Sequence, residues 1–240
     1  MRSLPADLKL AVVGHLEWVT FLAVNELPSP GQISRAHRSL EEPAGAGAVV
    51  AVQLARLTGQ RVAFFTALGK DEIGVRSEAR LRELGVTPII AWRDQPSRRG
   101  ISLVDRSSDR AITVIGERLT PIAADPLPWE HLADCAGVFV SATDAQGLKL
   151  ARTAKVLTAT PRLRLPVLQE ARVSLDALIG SHLDPGECIE EGALTPAPCL
   201  RIATEGERGG SFSQEDDLKP NLCRALLQKP MDAATALPLA

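Results

Sequence analysis

The run LKLAVV at residues 8–13, closed by Gly14, is apolar at successive positions apart from Lys9. A strand of that kind is buried on both faces, which suits the first strand of a parallel sheet. Helix-length and strand-length segments then alternate. A small-residue helix opens at Gly45 and Gly47 and runs to Leu57, with Gly59 to end it. A strand follows at 61–68, then a helix capped by Asp71 that reaches Leu84 and is stopped by Gly85, and a strand at 87–92. Strands at 137–140 and 155–158 and helices at 145–153 and 165–171 continue the alternation, and strands at 175–179 and 200–203 complete it. Such a chain predicts a doubly wound, mostly parallel α/β sheet flanked by helices, with right-handed crossovers.

Two stretches do not fit a purely parallel sheet. Residues 27–38 carry Pro28, Pro30 and Gly31 and then alternate weakly, which suggests a turn leading into an exposed edge strand. Residues 99–115 hold two alternating runs around the polar turn 105–109, a hairpin. Lid strands at about 27–40 and 99–115 are therefore expected to form a small second sheet. Residues 1–212 read as one α/β domain, and 213–240 as an atypical, poorly packed tail.

Composition narrows the function. At 240 residues and 45% hydrophobic, the chain can bury a sizeable core without disulfide or metal staples. Its 27 Lys and Arg against 29 Asp and Glu are scattered, which argues against a nucleic-acid protein held by phosphate contacts. Aromatic residues are only 3%, with no Tyr, so base stacking is disfavoured too. Cys135, Cys188, Cys199 and Cys223 form no CxxC pair, and His15, His37, His131 and His182 stand apart from one another, so each histidine reads as an ordinary surface or packed residue. No apolar run reaches the roughly 18 residues of a membrane span, and the N-terminal one is too short for a signal peptide. A cytoplasmic protein with a small-molecule partner is expected.

Three motifs in order carry a resemblance. EEPAGAGAVVAVQLARLTG, at 41–59, is similar to the Gly-Gly helix signature of the ribokinase-like (PfkB) carbohydrate kinases. FFTALGKDEIGVRSEARLRELGV, at 64–86, resembles the strand, Gly-x-Asp-x-x-Gly turn and helix that follow it there, and LRIATEGERGGSF, at 200–212, looks like the strand and Gly-rich turn approaching the nucleotide. The resemblance covers about residues 8–212. It implies ATP-dependent, magnesium-assisted phosphoryl transfer to a sugar or nucleoside hydroxyl beneath a small β lid, and a possible homodimer through that lid.

The resemblance also assigns residues. Gly45 and Gly47 fall at the substrate end. Glu17 and Val19 stand where the family has an Asn and an Asp that grip sugar hydroxyls, and Val49 replaces another family Asn. Glu17 either makes a bidentate contact to two hydroxyls or is a solvated or capping carboxylate. Thr204, Gly206 and Gly209 match the nucleotide turn, the alternative being a plain Gly-rich hairpin. For the Asn-x-x-Glu element that orders magnesium-bound water, one register gives Ser181 and Asp184 and the other Asp184 and Glu187; Asp184 is preferred and Glu187 second, against a simple Asp-Pro-Gly turn. Asp71 and Gly74 read as structural.

The family's catalytic Gly-x-Gly-Asp is absent from the sequence. A coding stretch for Tyr-Gly-Cys-Gly-Asp, read from its second base, gives Met-Asp-Ala-Ala-Thr, the residues found from Met231 to Thr235. The tail then reads as an out-of-frame translation of the missing segment, or else as a natural short form, in a truncated or frameshifted family member without its catalytic base.

Overall fold

In the computed structural model, which describes Pro5 and residues 7–214, the core is organised by β1 (Leu10–Val13) and β4 (Val62–Gly69), parallel and in register from Leu10 opposite Val62 to Val13 opposite Phe65. All eight residues of β4 are buried, because helices cover both faces of the sheet. Val62, Phe64 and Leu68 pack with Ala48, Ala51 and Val52 of α1 (Ala46–Thr58) and Leu81 of α2 (Glu72–Glu83). Ala63, Phe65 and Ala67 face the opposite layer, where Leu148 of α3 (Ala145–Ala151), Leu168 of α4 (Leu165–Ala171) and Trp129 lie. Phe65 stacks on Trp129 with ring centroids 5.5 Å apart.

β5 (Val86–Arg93) extends the sheet beside β4. On the other side of β1 lie β8 (Gly137–Val140), β9 (Val156–Ala159), β10 (Ala177–Ser181) and β11 (Leu200–Thr204), all parallel, and then antiparallel β12 (Gly210–Gln214). The order is β12-β11-β10-β9-β8-β1-β4-β5. The doubly wound, mostly parallel sheet expected from the alternation is present. β10 starts two residues later than the apolar pattern suggests, and β12 carries the fold past Phe212 to Gln214. The tail expectation, from residue 215 on and including Met231 to Thr235, lies outside the described residues.

A second sheet is also present, in the order β3 (Arg38–Ala44), β2 (Glu17–Ala23), β6 (Arg99–Val104), β7 (Arg110–Ile115), with two corrections to its strands. β6 (Arg99–Val104) and β7 (Arg110–Ile115) are the expected hairpin, and the Asp105 carboxylate accepts from the amides of Ser107 and Asp109 in its turn. The edge strand is not at 27–40. It is β3 (Arg38–Ala44), preceded by a loop in which Pro28 and Pro30 have no amide to give a ladder. The strand that holds the lid together, β2 (Glu17–Ala23), pairs with both β3 and β6 and was not expected at all. Its residues are half-buried or buried on both sides, so no clean alternation marks it. Charged contacts tie this lid to α2. Arg80 makes a two-pronged bond to Glu42 at 2.6 and 2.8 Å, and Arg76 bonds Glu41 while lying 4.7 Å from the Trp18 ring centre. Among the described residues no helix is long and apolar enough to cross a membrane.

Asp71 connects the two sheets. Its Oδ1 accepts from the Gly74 amide at 2.8 Å, the expected cap of α2, and also from the Ser97 hydroxyl; Oδ2 accepts from the Ser97 amide at 2.7 Å. One carboxylate thus fixes the start of α2 and the chain entering β6. Asp71→Ala is expected to lower unfolding free energy by roughly 1–3 kcal/mol, a cap together with the amide and hydroxyl it leaves unpaired. Urea denaturation of the two proteins measures the difference.

Candidate active site

In an open parallel sheet the strand order reverses at one point, and the connections on either side leave a crevice at the carboxyl ends of the strands. Here β4 and β8 flank β1, so the crevice lies beyond Val13 of β1 and Val140 of β8. Gly14 and His15 leave β1 there, and Ser141 leaves β8, its amide bonded to the Val13 carbonyl. Glu17 begins β2, Gly45 precedes α1, Arg98 precedes β6, and Arg118 lies on the chain returning from β7.

These groups form a chain of polar contacts. Arg118 Nη2 lies 2.9 Å from His15 Nδ1 and also donates to the Ser141 carbonyl at 3.2 Å. A guanidinium can only donate, so Nδ1 is the acceptor and the imidazole proton sits on Nε2. Nε2–H then donates to Glu17 Oε1 at 3.3 Å, and Glu17 Oε2 stands 3.6 Å from Arg98 Nε. Burial drives the His15 pKa below 6.5, with Arg118 adding to the effect against the opposing pull of Glu17. The hydrogen bond from His15, together with Arg98, holds Glu17 below the usual carboxylate range despite its burial. Arg118 is lowered to about 10 by burial and by the facing Arg164 and Arg98. Glu17 is therefore neither a helix cap nor fully open to a ligand, since one oxygen is already engaged by His15.

The glycines seat this chain of contacts. Gly45 has φ +84, and a β-carbon on it would stand 3.1 Å from both His15 Nε2 and Glu17 Cγ. A β-carbon on Gly47 would meet the His15 carbonyl at 2.8 Å and Phe64 Cε2 at 2.9 Å, so α1 can start against β1 only with glycine there. Val19 is buried in the lid and Val49 is exposed on α1, so neither stands in for a polar sugar contact.

The other predicted residues gather at the ends of β10 and β11. Thr204 closes β11 and accepts from the His182 amide at 2.9 Å through its carbonyl. Gly206 and Gly209, at φ +62 and +87, turn the chain into β12, and nothing lies within 4 Å of where a Gly209 β-carbon would be. Asp184 and Glu187 are brought together by Arg162, which bonds both carboxylates. Two carboxylates are donors of the kind magnesium takes, but here a guanidinium holds that place. Among the described residues no three His, Cys, Asp or Glu side chains group as a metal site. Arg118 also links the end of β8 to the turn after β9 through Nη1, which donates to the Arg162 carbonyl at 3.3 Å.

Sequence reasoning placed Glu17, Gly45 and Gly47 together and missed His15, Arg98, Arg118 and Arg162. The arginines lie in segments without periodicity. His15 had one usable signal, its position just past the glycine that ends the first buried strand.

The profile of the pfkB family carbohydrate kinases matches residues 7–184. Among solved structures, ribokinase from Thermotoga maritima is 19% identical with a TM-score of 0.66, over 88% of this chain and 76% of that one. Ribokinase from Arabidopsis thaliana, complexed with ribose and ATP, is 17% identical with a TM-score of 0.61, over 87% and 75%. A nucleoside kinase from Methanocaldococcus jannaschii is 16% identical with a TM-score of 0.58, over 88% and 75%. These likenesses are of fold. No curated protein sequence matches the chain.

The His15 proton count gives a pH test. The unfolded chain takes up a proton near pH 6.5 that the folded imidazole, with its lowered pKa, resists. Stability is therefore full above about pH 6.5 and falls as pH drops below it, with the Glu17 contribution lost only further down, below about pH 4.5. His15→Asn is expected to flatten the decline of Tm between those two values, as read by calorimetry across pH.

Proposed function

Because the chain belongs to the pfkB family of carbohydrate kinases, we propose that it binds a sugar or nucleoside in the crevice between β1 and β8 and ATP at the ends of β10 and β11. The observation that carries this reading is the linked set Arg118, His15, Glu17 and Arg98, buried or half-buried where the lid meets the main sheet at the point of strand-order reversal. Gly45 lies against that set and Gly47 lets α1 start beside it. At the other end, Thr204, Gly206 and Gly209 form a turn whose backbone a nucleotide can approach. Asp184 and Glu187 are the residues to hold magnesium, which when bound offsets the charge of the phosphates; they would exchange Arg162 for it.

The chain's own residues account for binding and orientation but not for proton removal. A family kinase takes the proton of the acceptor hydroxyl with an Asp and steadies the moving phosphoryl group with neighbouring Gly amides, and no Gly-x-Gly-Asp occurs in these 240 residues. Loss of each contribution costs roughly two to four orders of magnitude in rate. Phosphoryl transfer by this chain is accordingly slight or nil. A second reading, a sugar- or nucleoside-binding protein without turnover, is favoured by the Arg162 bonds that occupy both carboxylates. The lid also supports a dimer, since Leu40, Ile101, Ile112, Val114 and Ile115 are exposed large apolar residues on it.

Two measurements check this. With purified protein, magnesium-ATP and ribose, fructose or adenosine, ADP release is expected to stay at background while a bound acceptor raises Tm; turnover well above background refutes the loss of catalysis. Sedimentation is expected to show a dimer that Ile112→Lys converts to monomer, and a monomeric wild type removes the lid interface.

A further inference from the structure

Two guanidinium groups, Arg98 and Arg118, lie at the crevice with one carboxylate, Glu17, between them, and Arg164 adds to the positive charge that acts on Arg118. Arg162 adds a smaller share, because Asp184 and Glu187 bond its guanidinium. Arg98 is only 17% exposed at its side chain, and its sole ionic contact among the described residues is the 3.6 Å approach to Glu17, longer than a hydrogen bond. The Nε atoms of Arg98 and of Arg118 are both buried without a hydrogen-bond partner among the described residues. So is the hydroxyl of Ser141, a fully buried residue whose carbonyl holds Arg118. The exposed Arg164 makes no side-chain bond to a carboxylate among the described residues.

A buried polar group left without a partner is costly, and more so when it is charged. Unused guanidinium N–H groups on adjacent arginines call for an acceptor that also carries negative charge. A neutral sugar supplies acceptor oxygens and leaves the charge excess in place. A phosphate or carboxylate supplies both, and its flat or clustered oxygens match the guanidinium fork.

Resting on the carbohydrate-site reading above, we propose that the acceptor is an anionic carbohydrate, a sugar phosphate or sugar acid, whose charged group is seated by Arg98 and Arg118. His15 and Glu17 then face the uncharged part of the same molecule.

The test is calorimetric titration of the full chain with matched probes: fructose against fructose 1-phosphate and fructose 6-phosphate, glucose against glucose 6-phosphate and gluconate, with ribose, adenosine and inorganic phosphate alongside. At least one anionic sugar is expected to bind about tenfold or more tightly than its neutral partner and than inorganic phosphate, since one charge-assisted hydrogen bond is worth about that factor. Arg98→Gln is expected to erase most of that preference while Arg99→Gln, the same charge change on an exposed neighbour, leaves it. The wild-type comparison needs no variant to fold, and the melting curve of Arg98→Gln verifies that it does.

A neutral sugar or adenosine that binds as well as its charged counterparts overturns the anion proposal and leaves the carbohydrate site standing. An anionic preference that survives Arg98→Gln in a folded protein also overturns it, because the charge is then held elsewhere, as at the β11 turn. Binding of none of the probes overturns the site reading itself and the proposal with it.

Discussion

Burial of β1 and β4 on both faces leaves the central strands only their ends for chemistry. Every side chain of β4 is enclosed, and β1 alternates Val12 toward α1 and Val13 toward the layer of α3 and α4. Loops leaving the carboxyl ends must therefore do all the recognition, and the reversal of strand order beside β1 decides which loops meet. That is why residues as distant in sequence as His15 and Arg118 come within 2.9 Å. The site follows from the sheet's topology before any particular side chain is considered.

The side chains then solve an electrostatic problem in a partly dehydrated place. Arg118 loses water and faces other arginines, which is why its pKa falls to about 10 yet leaves it charged at neutral pH. It is stabilised by acceptors rather than by an acid of its own: the Ser141 and Arg162 carbonyls and the unprotonated nitrogen of His15. The imidazole must stay neutral to accept, and its second nitrogen then has a proton to give Glu17. One arginine thereby fixes the tautomer of the histidine and the orientation of the glutamate.

Much of this fold is legible in the sequence because the main sheet obeys simple periodicities. The β4 and β8 runs, the Gly59 and Asp71 helix boundaries and the hairpin turn at Asp105 each carry a local signal that tertiary packing does not override. The lid was harder to read. β2 is stabilised by pairing on both edges and by Arg76 over Trp18, contacts from elements distant in sequence, so its residues show no single exposed face. The 27–40 segment misled because its weak alternation is real but its prolines deprive it of ladder donors, and pairing begins only at Arg38. Of the site, the glycines and Glu17 were accessible through motif spacing. The arginines were not, because what selects Arg98 and Arg118 among scattered basic residues is where two of the crossings between sheets happen to fall.

That placement at the crossings links the lid to the crevice. Arg98 sits where the chain enters β6 and Arg118 where it has left β7, so both guanidinium groups are carried by the connections between the two sheets. The Asp71 carboxylate holds Ser97, the residue before Arg98, against the start of α2, and the Arg98 carbonyl accepts from Trp18 of β2. A shift of the lid would therefore move Arg98 relative to His15, which is anchored to β1, while Arg118 stays tied to Ser141 and Arg162 by backbone acceptors. Glu17 begins β2 and so moves with Arg98, which leaves the His15–Glu17 contact as the one that depends on lid position. The 3.6 Å between Arg98 and Glu17, too long for a hydrogen bond, is set inside the lid by the pairing of β2 with β6.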